Sequence, residues 1–221
     1  ADGVILLNPS EEYDFEMYYV NSDGHPTSMC GNGGRCIVAF ARDLGIIATK
    51  TDFLAIDGPH EAIVTENGVR LKMGTPAGFQ ALPQGDHWID TGSPHYVRFL
   101  QEGNAKEMDI VTPGRALRYS EPWGQKGTNV NFAWKQGKDR LYVRTYERGV
   151  EDETWSCGTG VTAVAEVYSR LYGSSGQVQL ETPGGHLSVH VSAGKAPWLE
   201  GPAVHVFSGQ VKPEGNALIK P

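Results

Sequence analysis

Met29-Cys30-Gly31-Asn32-Gly33-Gly34-Arg35 and Ser156-Cys157-Gly158-Thr159-Gly160-Val161 are two versions of one pattern, a cysteine on a glycine-rich turn that opens a helix. After the first, Ile37, Phe40, Ala41 and Leu44 fall at i, i+3, i+4 and i+7, and Gly45 closes the segment. After the second, Val161, Val164, Ala165, Tyr168, Leu171 and Tyr172 keep the spacing up to Gly173. Val38, Ala39, Ala163 and Val167 lie off the main stripe, which predicts helices surrounded by protein. Each cysteine then stands at the mouth of a buried helix.

Outward from these turns the chain reads as short strands. Val4–Leu7, Phe15–Val20, Phe53–Ile56, Glu61–Thr65 and Val69–Met73 belong to the first part. The last three form an antiparallel meander, parted by Asp57-Gly58-Pro59 and Glu66-Asn67-Gly68. Gly78 to Gly85, with Pro83 and no periodicity, reads as a linker. Trp88–Thr91, His95–Phe99, Asn129–Trp134 and Leu141–Tyr146 lead to the second cysteine. Gln177–Glu181, His186–Val191, Trp198–Glu200 and Ala203–Phe207 follow its helix.

The order repeats, and so does the spacing. From cysteine to the glycine ending each meander, 74 − 30 (Gly74) and 201 − 157 (Gly201) both give 44. From cysteine to the helix-closing glycine the counts are 15 and 16. Two similar halves related by a pseudo-twofold axis follow. The halves are residues 1–84 and 85–202. Counted from Asp86, the second half has 71 residues before its cysteine and the first has 29, so about 42 residues are expected upstream of Ala1.

Composition narrows the partners. A chain of 221 residues with 39% hydrophobic and 20% charged residues is an ordinary soluble globular composition. A net charge of −7 argues against nucleic acid or an anionic membrane and for a small ligand. No apolar run reaches the ~18 residues of a membrane span, and no basic stretch followed by an apolar one within these residues marks a secretory signal. Three cysteines without a disulfide pattern fit reduced thiols in the cytoplasm.

A helix N-terminus presents unpaired N–H groups and about half a positive charge. Gly31-Asn32-Gly33 and Gly158-Thr159-Gly160 are therefore suited to hold a carboxylate jointly, and the same field is expected to depress the thiol pKa values. An amino acid bound by its carboxylate between the turns has its α-carbon between two sulfurs. A thiolate on one face and a thiol on the other can then invert the stereocentre without a cofactor. Cys36, inside the first helix, reads as a core residue. A metal site from Cys30, Cys36, Cys157 and His95 lacks the usual Cys-x2–4-Cys spacing, and a redox disulfide between the turns is a further alternative. The turns lack the Lys-Ser/Thr of a P-loop.

At these residues the sequence resembles the diaminopimelate epimerases. The matching motifs are Ala1-Asp2-Gly3, Asn21-Ser22-Asp23-Gly24, Met29 to Cys36, Gly92-Ser93-Pro94-His95, Asn129-Val130-Asn131-Phe132, Tyr146-Glu147-Arg148-Gly149 and Cys157-Gly158-Thr159-Gly160. The resemblance implies interconversion of LL- and meso-diaminopimelate without cofactor or metal, with Cys30 and Cys157 as the base/acid pair. It implies that Gly31, Asn32, Gly158 and Thr159 hold the α-carboxylate. Asn21, Asn129 and Arg148 are implied to hold the distal end and Glu147 the α-amino group, with His95 assisting the thiols. Ser93 stands where many members have Asn, and the family's N-terminal Gly-Asn-Asp-Phe segment is not in this sequence. The resemblance further implies an α+β fold of two similar halves, each a curved, mostly antiparallel sheet around a central helix, a homodimer, a site in the cleft between halves that close on substrate, and a C-terminal strand from residue 203 onward returning to the first half. A proline or hydroxyproline racemase is the neighbouring alternative; its motif usually has Cys-Gly-His where this chain has Cys30-Gly31-Asn32.

Overall fold

The computed structural model describes residues 3–101 and 104–210. In chain order the elements are β1 (Gly3–Asn8), β2 (Phe15–Asn21), β3 (Pro26–Thr27), α1 (Gly31–Asp43), β4 (Lys50–Ala55), β5 (Gly58–Thr65) and β6 (Gly68–Lys72). Then come β7 (Ala77–Ala81), β8 (His87–Asp90), β9 (Pro94–Leu100), α2 (Val111–Arg118), β10 (Asn129–Gly137), β11 (Arg140–Glu147) and β12 (Asp152–Thr154). Last are α3 (Gly158–Tyr172), β13 (Gly176–Thr182), β14 (Gly185–Val191) and β15 (Trp198–Gly201).

All the strands join one sheet, ordered β1-β2-β4-β5-β6-β15-β14-β13-β11-β10-β9-β8-β7, with β3 on β2 and β12 on β11. The connectivity repeats. An antiparallel pair, β1–β2, makes a parallel step to β4, and β4–β5–β6 is an antiparallel meander. The pair β10–β11 likewise steps in parallel to β13, and β13–β14–β15 is the second meander. The first hairpin of each meander turns on a glycine at positive φ, Gly58 at +115° and Gly185 at +126°, where a side chain is strained. Helix α1 packs on β1, β5 and β6, and α3 on β8–β11, β13 and β14.

The two copies join where β6 pairs antiparallel with β15, Leu71 opposite Leu199 and Arg70 opposite Glu200. Both leucines are fully buried. Burying each contributes roughly 1.5–3 kcal/mol. The Glu200 carboxylate, also buried, accepts from Thr65 Oγ1 (2.7 Å) and Arg70 Nη2 (2.8 Å) and lies 2.6 Å from His190 Nε2. The seam is thus apolar on one face and polar but satisfied on the other.

Three expectations are corrected. Gly78–Gly85 is not a bare linker, because β7 pairs with β8 and Phe79 stacks on His87 with ring centroids 5.7 Å apart. Alternation in a five-residue strand is too brief to read. Ala203–Phe207 is not a strand: residues 202–210 are irregular, and Val204, Val206 and Phe207 are exposed. An alternating apolar run becomes a strand only beside a free edge, and no strand pairs with this one among the described residues. Residues 211–221 lie outside the described residues. Cys36 is exposed, on the outward stripe of α1 with Asn32 and Phe40. Enclosure holds for α3 from Val161 to Tyr168, all buried, but not for its last turn, where Leu171 and Tyr172 are exposed, nor for α1.

Candidate active site

Cys30 and Cys157 are the N-caps of α1 and α3, both with extended backbone (φ −103°, ψ 149° and φ −116°, ψ 114°). The glycines that follow are the first helical residues and not a turn ahead of the helix. The helix mouths meet: a Cβ built on Gly158 would lie 3.2 Å from Gly31 Cα, and one on Gly31 would lie 3.3 Å from Gly158 Cα. Leu199 of β15 sits under both, its Cδ2 3.1 Å from the position built on Gly158 and 2.9 Å from that on Gly31. Only glycine permits this approach, so the repeat brings both cysteines to one place.

The sulfurs have different surroundings. Cys30 is exposed and accepts a hydrogen bond from Gly33 N–H at 3.1 Å. Cys157 is 8% exposed, with its sulfur 3.5 Å from Thr159 Oγ1. Burial, followed by the Glu147 charge, pushes the Cys157 thiol up to about 11, against the Thr159 hydroxyl and the N–H groups of Gly160 and Thr159. The expected depression of its pKa by the helix mouth is therefore overturned, since desolvation outweighs the dipole here.

Behind Cys157 lies a buried polar chain. His95, on β9, and Asn131, on β10, are both 0% exposed. His95 Nε2 is 2.9 Å from Thr159 Oγ1, and its Nδ1 is 3.1 Å from Asn131 Nδ2. Burial and then the Arg148 charge push His95 down to about 3, the Asn131 hydrogen bond only partly opposing them. His95 is neutral at physiological pH. Thr91 Oγ1 donates to the Thr159 carbonyl at 2.9 Å and fixes the turn.

Other residues named from sequence divide by their bonding. Asn129 Nδ2 donates to Ser93 Oγ (2.7 Å) and to Pro94 O (2.9 Å), and its Oδ1 accepts the Arg148 N–H (2.8 Å). Its amide braces Ser93 and Arg148. The Arg148 side chain is exposed and has no hydrogen-bonding or ion-pair partner among the described residues, so its fork is open to a ligand carboxylate. Glu147 accepts from Thr154 Oγ1 at 2.8 Å and is close enough to raise the Cys157 pKa. Asn21 ends β2, half-buried, with no bond linking its side chain to the other site residues among those described. Asn32 accepts from Arg35 Nη2 at 2.9 Å.

Sequence reading passed over Arg35, Asn131 and Leu199. Arg35 is 6% exposed, donates to Gly31 O at 2.9 Å, leaves its Nε without a partner and forms no ion pair among the described residues. Asn131 was legible in principle: Asn129, Asn131 and Ala133 share one face of β10 while Val130 and Phe132 take the other. Among the described residues no three His, Cys, Asp or Glu side chains group as a metal site, and no helix is long and apolar enough to cross a membrane.

Fold and site together define a class: an α+β sheet protein with a cysteine on each of two abutting helix N-termini. Its fold is shared by a phenazine biosynthesis protein of the PhzF family from Bacillus anthracis, with TM-score 0.68, 12% identity and coverage of 90% of this chain and 80% of that one. It is shared too by a hydroxyproline epimerase from Agrobacterium vitis, with TM-score 0.63, 17% identity and coverage of 89% and 71%. Within that class the chain belongs to the diaminopimelate epimerase family, whose model matches residues 1–78 and 87–206. The diaminopimelate epimerase of Flavobacterium psychrophilum is 43% identical over 216 residues, which cover 94% of this chain and 82% of that protein.

Proposed function

We propose that this protein is an isomerase that interconverts LL- and meso-diaminopimelate, a step of lysine biosynthesis, by two-base proton transfer at the α-carbon. The observation that carries the mechanism is the contact of Gly31 with Gly158, each the residue that follows one of the two cysteines. The substrate α-carboxylate binds at the N–H groups of both first turns, at Gly31-Asn32 and Gly158-Thr159. Arg148, with Asn21 and Asn129 nearby in role, takes the distal carboxylate and amine, and Glu147 the α-ammonium.

One sulfur removes the α-proton as a thiolate. The C–H electron pair passes into the carboxylate, stabilised by the two helix mouths, and the other thiol protonates the opposite face. Cys157, with its pKa pushed up to about 11, holds its proton at neutral pH and enters the cycle as the donor, opposite Cys30 as the base. The sulfurs exchange roles in the reverse direction. All three cysteines are free thiols, which supports a cytoplasmic location, and the family resemblance supports a homodimer.

The test is isotope exchange. Incubated in deuterium oxide with chelator and without pyridoxal, the protein should replace the α-proton of LL-diaminopimelate while the meso isomer accumulates, and leave proline untouched. Exchange of proline in place of diaminopimelate, or of neither, would overturn the reading.

A further inference from the structure

The site leaves one buried side chain without a task, and its bonding is fully determined. Asn131 Nδ2 lies 2.9 Å from the Tyr96 carbonyl, which can only accept, so the amide nitrogen must face that way. Its other N–H then points at His95 Nδ1, 3.1 Å away, and Asn131 Oδ1 accepts from Thr145 Oγ1 at 2.9 Å. A neutral His95 that accepts at Nδ1 must carry its proton on Nε2. That proton goes to Thr159 Oγ1 at 2.9 Å, which leaves the Thr159 hydroxyl hydrogen for the Cys157 sulfur at 3.5 Å.

We propose that Asn131 is a positioning residue: it fixes the His95 tautomer so that every donor from Thr145 through Asn131, His95 and Thr159 points toward Cys157. The proposal rests on the reading of Cys157 as an acid/base thiol. Such a head-to-tail chain is cooperative in a low-dielectric interior, and it presents a donor to the sulfur when the sulfur becomes a thiolate. The charged groups facing this region are Glu147, beside Cys157, and Arg148, beside His95. The same residue explains the second motif glycine. A Cβ on Gly160 would stand 2.5 Å from Asn131 Oδ1, so the first turn of α3 is fitted to this amide.

Two measurements need no substrate. Two-bond proton–nitrogen correlation NMR should show His95 of the wild-type protein as the Nε2–H tautomer. In Asn131→Asp the carboxylate accepts at Nδ1, and the proton should move there. A wild-type Nδ1–H tautomer, or an unchanged tautomer in the folded variant, overturns the proposal; the wild-type spectrum decides alone if the variant does not fold. Second, in a background with Cys30→Ser and Cys36→Ser, iodoacetamide should alkylate Cys157 about tenfold more slowly at pH 9 in Asn131→Leu, equivalent to about one unit of pKa. Thr159→Val should have the same effect and the double variant no more; unchanged rates overturn the chain. Because neither measurement involves turnover, failure of diaminopimelate exchange would remove the epimerase reading and leave this result standing, and the converse holds.

Discussion

The two helix mouths have the same backbone and opposite chemistry. An offset of 126 residues relates Ile5 to Asn131, Tyr19 to Thr145 and Asn21 to Glu147, and the strand pairs agree, Ile5 opposite Tyr19 and Asn131 opposite Thr145. At Cys30 the cushion under the turn is therefore Ile5, whose Cδ1 would lie 2.9 Å from a Cβ on Gly33. At Cys157 it is the Asn131 amide. Within the helices Arg35 and Thr162 correspond, and both donate to the carbonyl of the first helical glycine, Gly31 O at 2.9 Å and Gly158 O at 2.8 Å. One mouth carries a buried, unpaired positive charge and an exposed sulfur; the other carries a neutral polar chain and a buried sulfur. The repeat supplies position, and the side chains that break the repeat supply the difference between the two surroundings.

The comparison can be broken at several points. The largest effect is expected from Cys30→Ala or Cys157→Ala, each costing roughly 10²–10⁴-fold in inversion of the α-carbon. Equal losses are expected despite the unequal surroundings, because inversion needs both thiols, and a variant that keeps a tenth of wild-type inversion would contradict this. Next, Leu199→Ala should lower unfolding free energy by about 2–5 kcal/mol in urea titration, since it leaves a cavity beneath both mouths. Inversion should fall as well, and a folded variant of wild-type activity would mean that the mouths are held independently of this leucine.

Smaller effects sharpen the contrast. Gly160→Ala sets a methyl against the locked Asn131 amide and should cost about 1–3 kcal/mol. Gly33→Ala meets only the mobile ends of Ile5, Cys30 and Met17, so the gain in helix propensity, up to about 1 kcal/mol, should largely offset it. Equal destabilisation by the two changes would remove the contrast. A further effect is on acid stability. His95 is pushed down to about 3 from 6.5, so the unfolded chain takes up a proton that the folded one refuses. Its contribution is present above about pH 6.5 and declines as pH falls toward 3, by at most about 1.4 kcal/mol per pH unit. His95→Gln should flatten that decline in denaturation curves between pH 6.5 and 4, and an unchanged slope would show His95 to be solvated.

Much of this was legible in the chain. The 44-residue interval was enough to foresee repeated meanders, because strand and helix lengths are carried by local periodicity and Gly/Asn turns. The strand Ala77–Ala81 escaped because its stabilisation comes from His87 across the ladder, and Ala203–Phe207 was misread because alternation cannot report whether a neighbouring edge exists. Cys36 looked interior because hydrophobic spacing gives a stripe and not which edge of the stripe is covered. The roles of Asn129 and Asn131 depend on His95 and Ser93 arriving on the parallel neighbour β9, about 35 residues away in sequence. No pattern within either strand announces that meeting.

The Gly31–Gly158 contact also sets the mechanical tolerance of the site. From one sulfur to the other the shortest path runs Cys30, Gly31, Gly158, Cys157, through a single van der Waals contact seated on Leu199. A path through the strands would accumulate the play of every ladder between the helices. With one shared datum, thermal flexing of the wide sheet carries both cysteines together, and their separation holds to the stiffness of two glycines and one leucine.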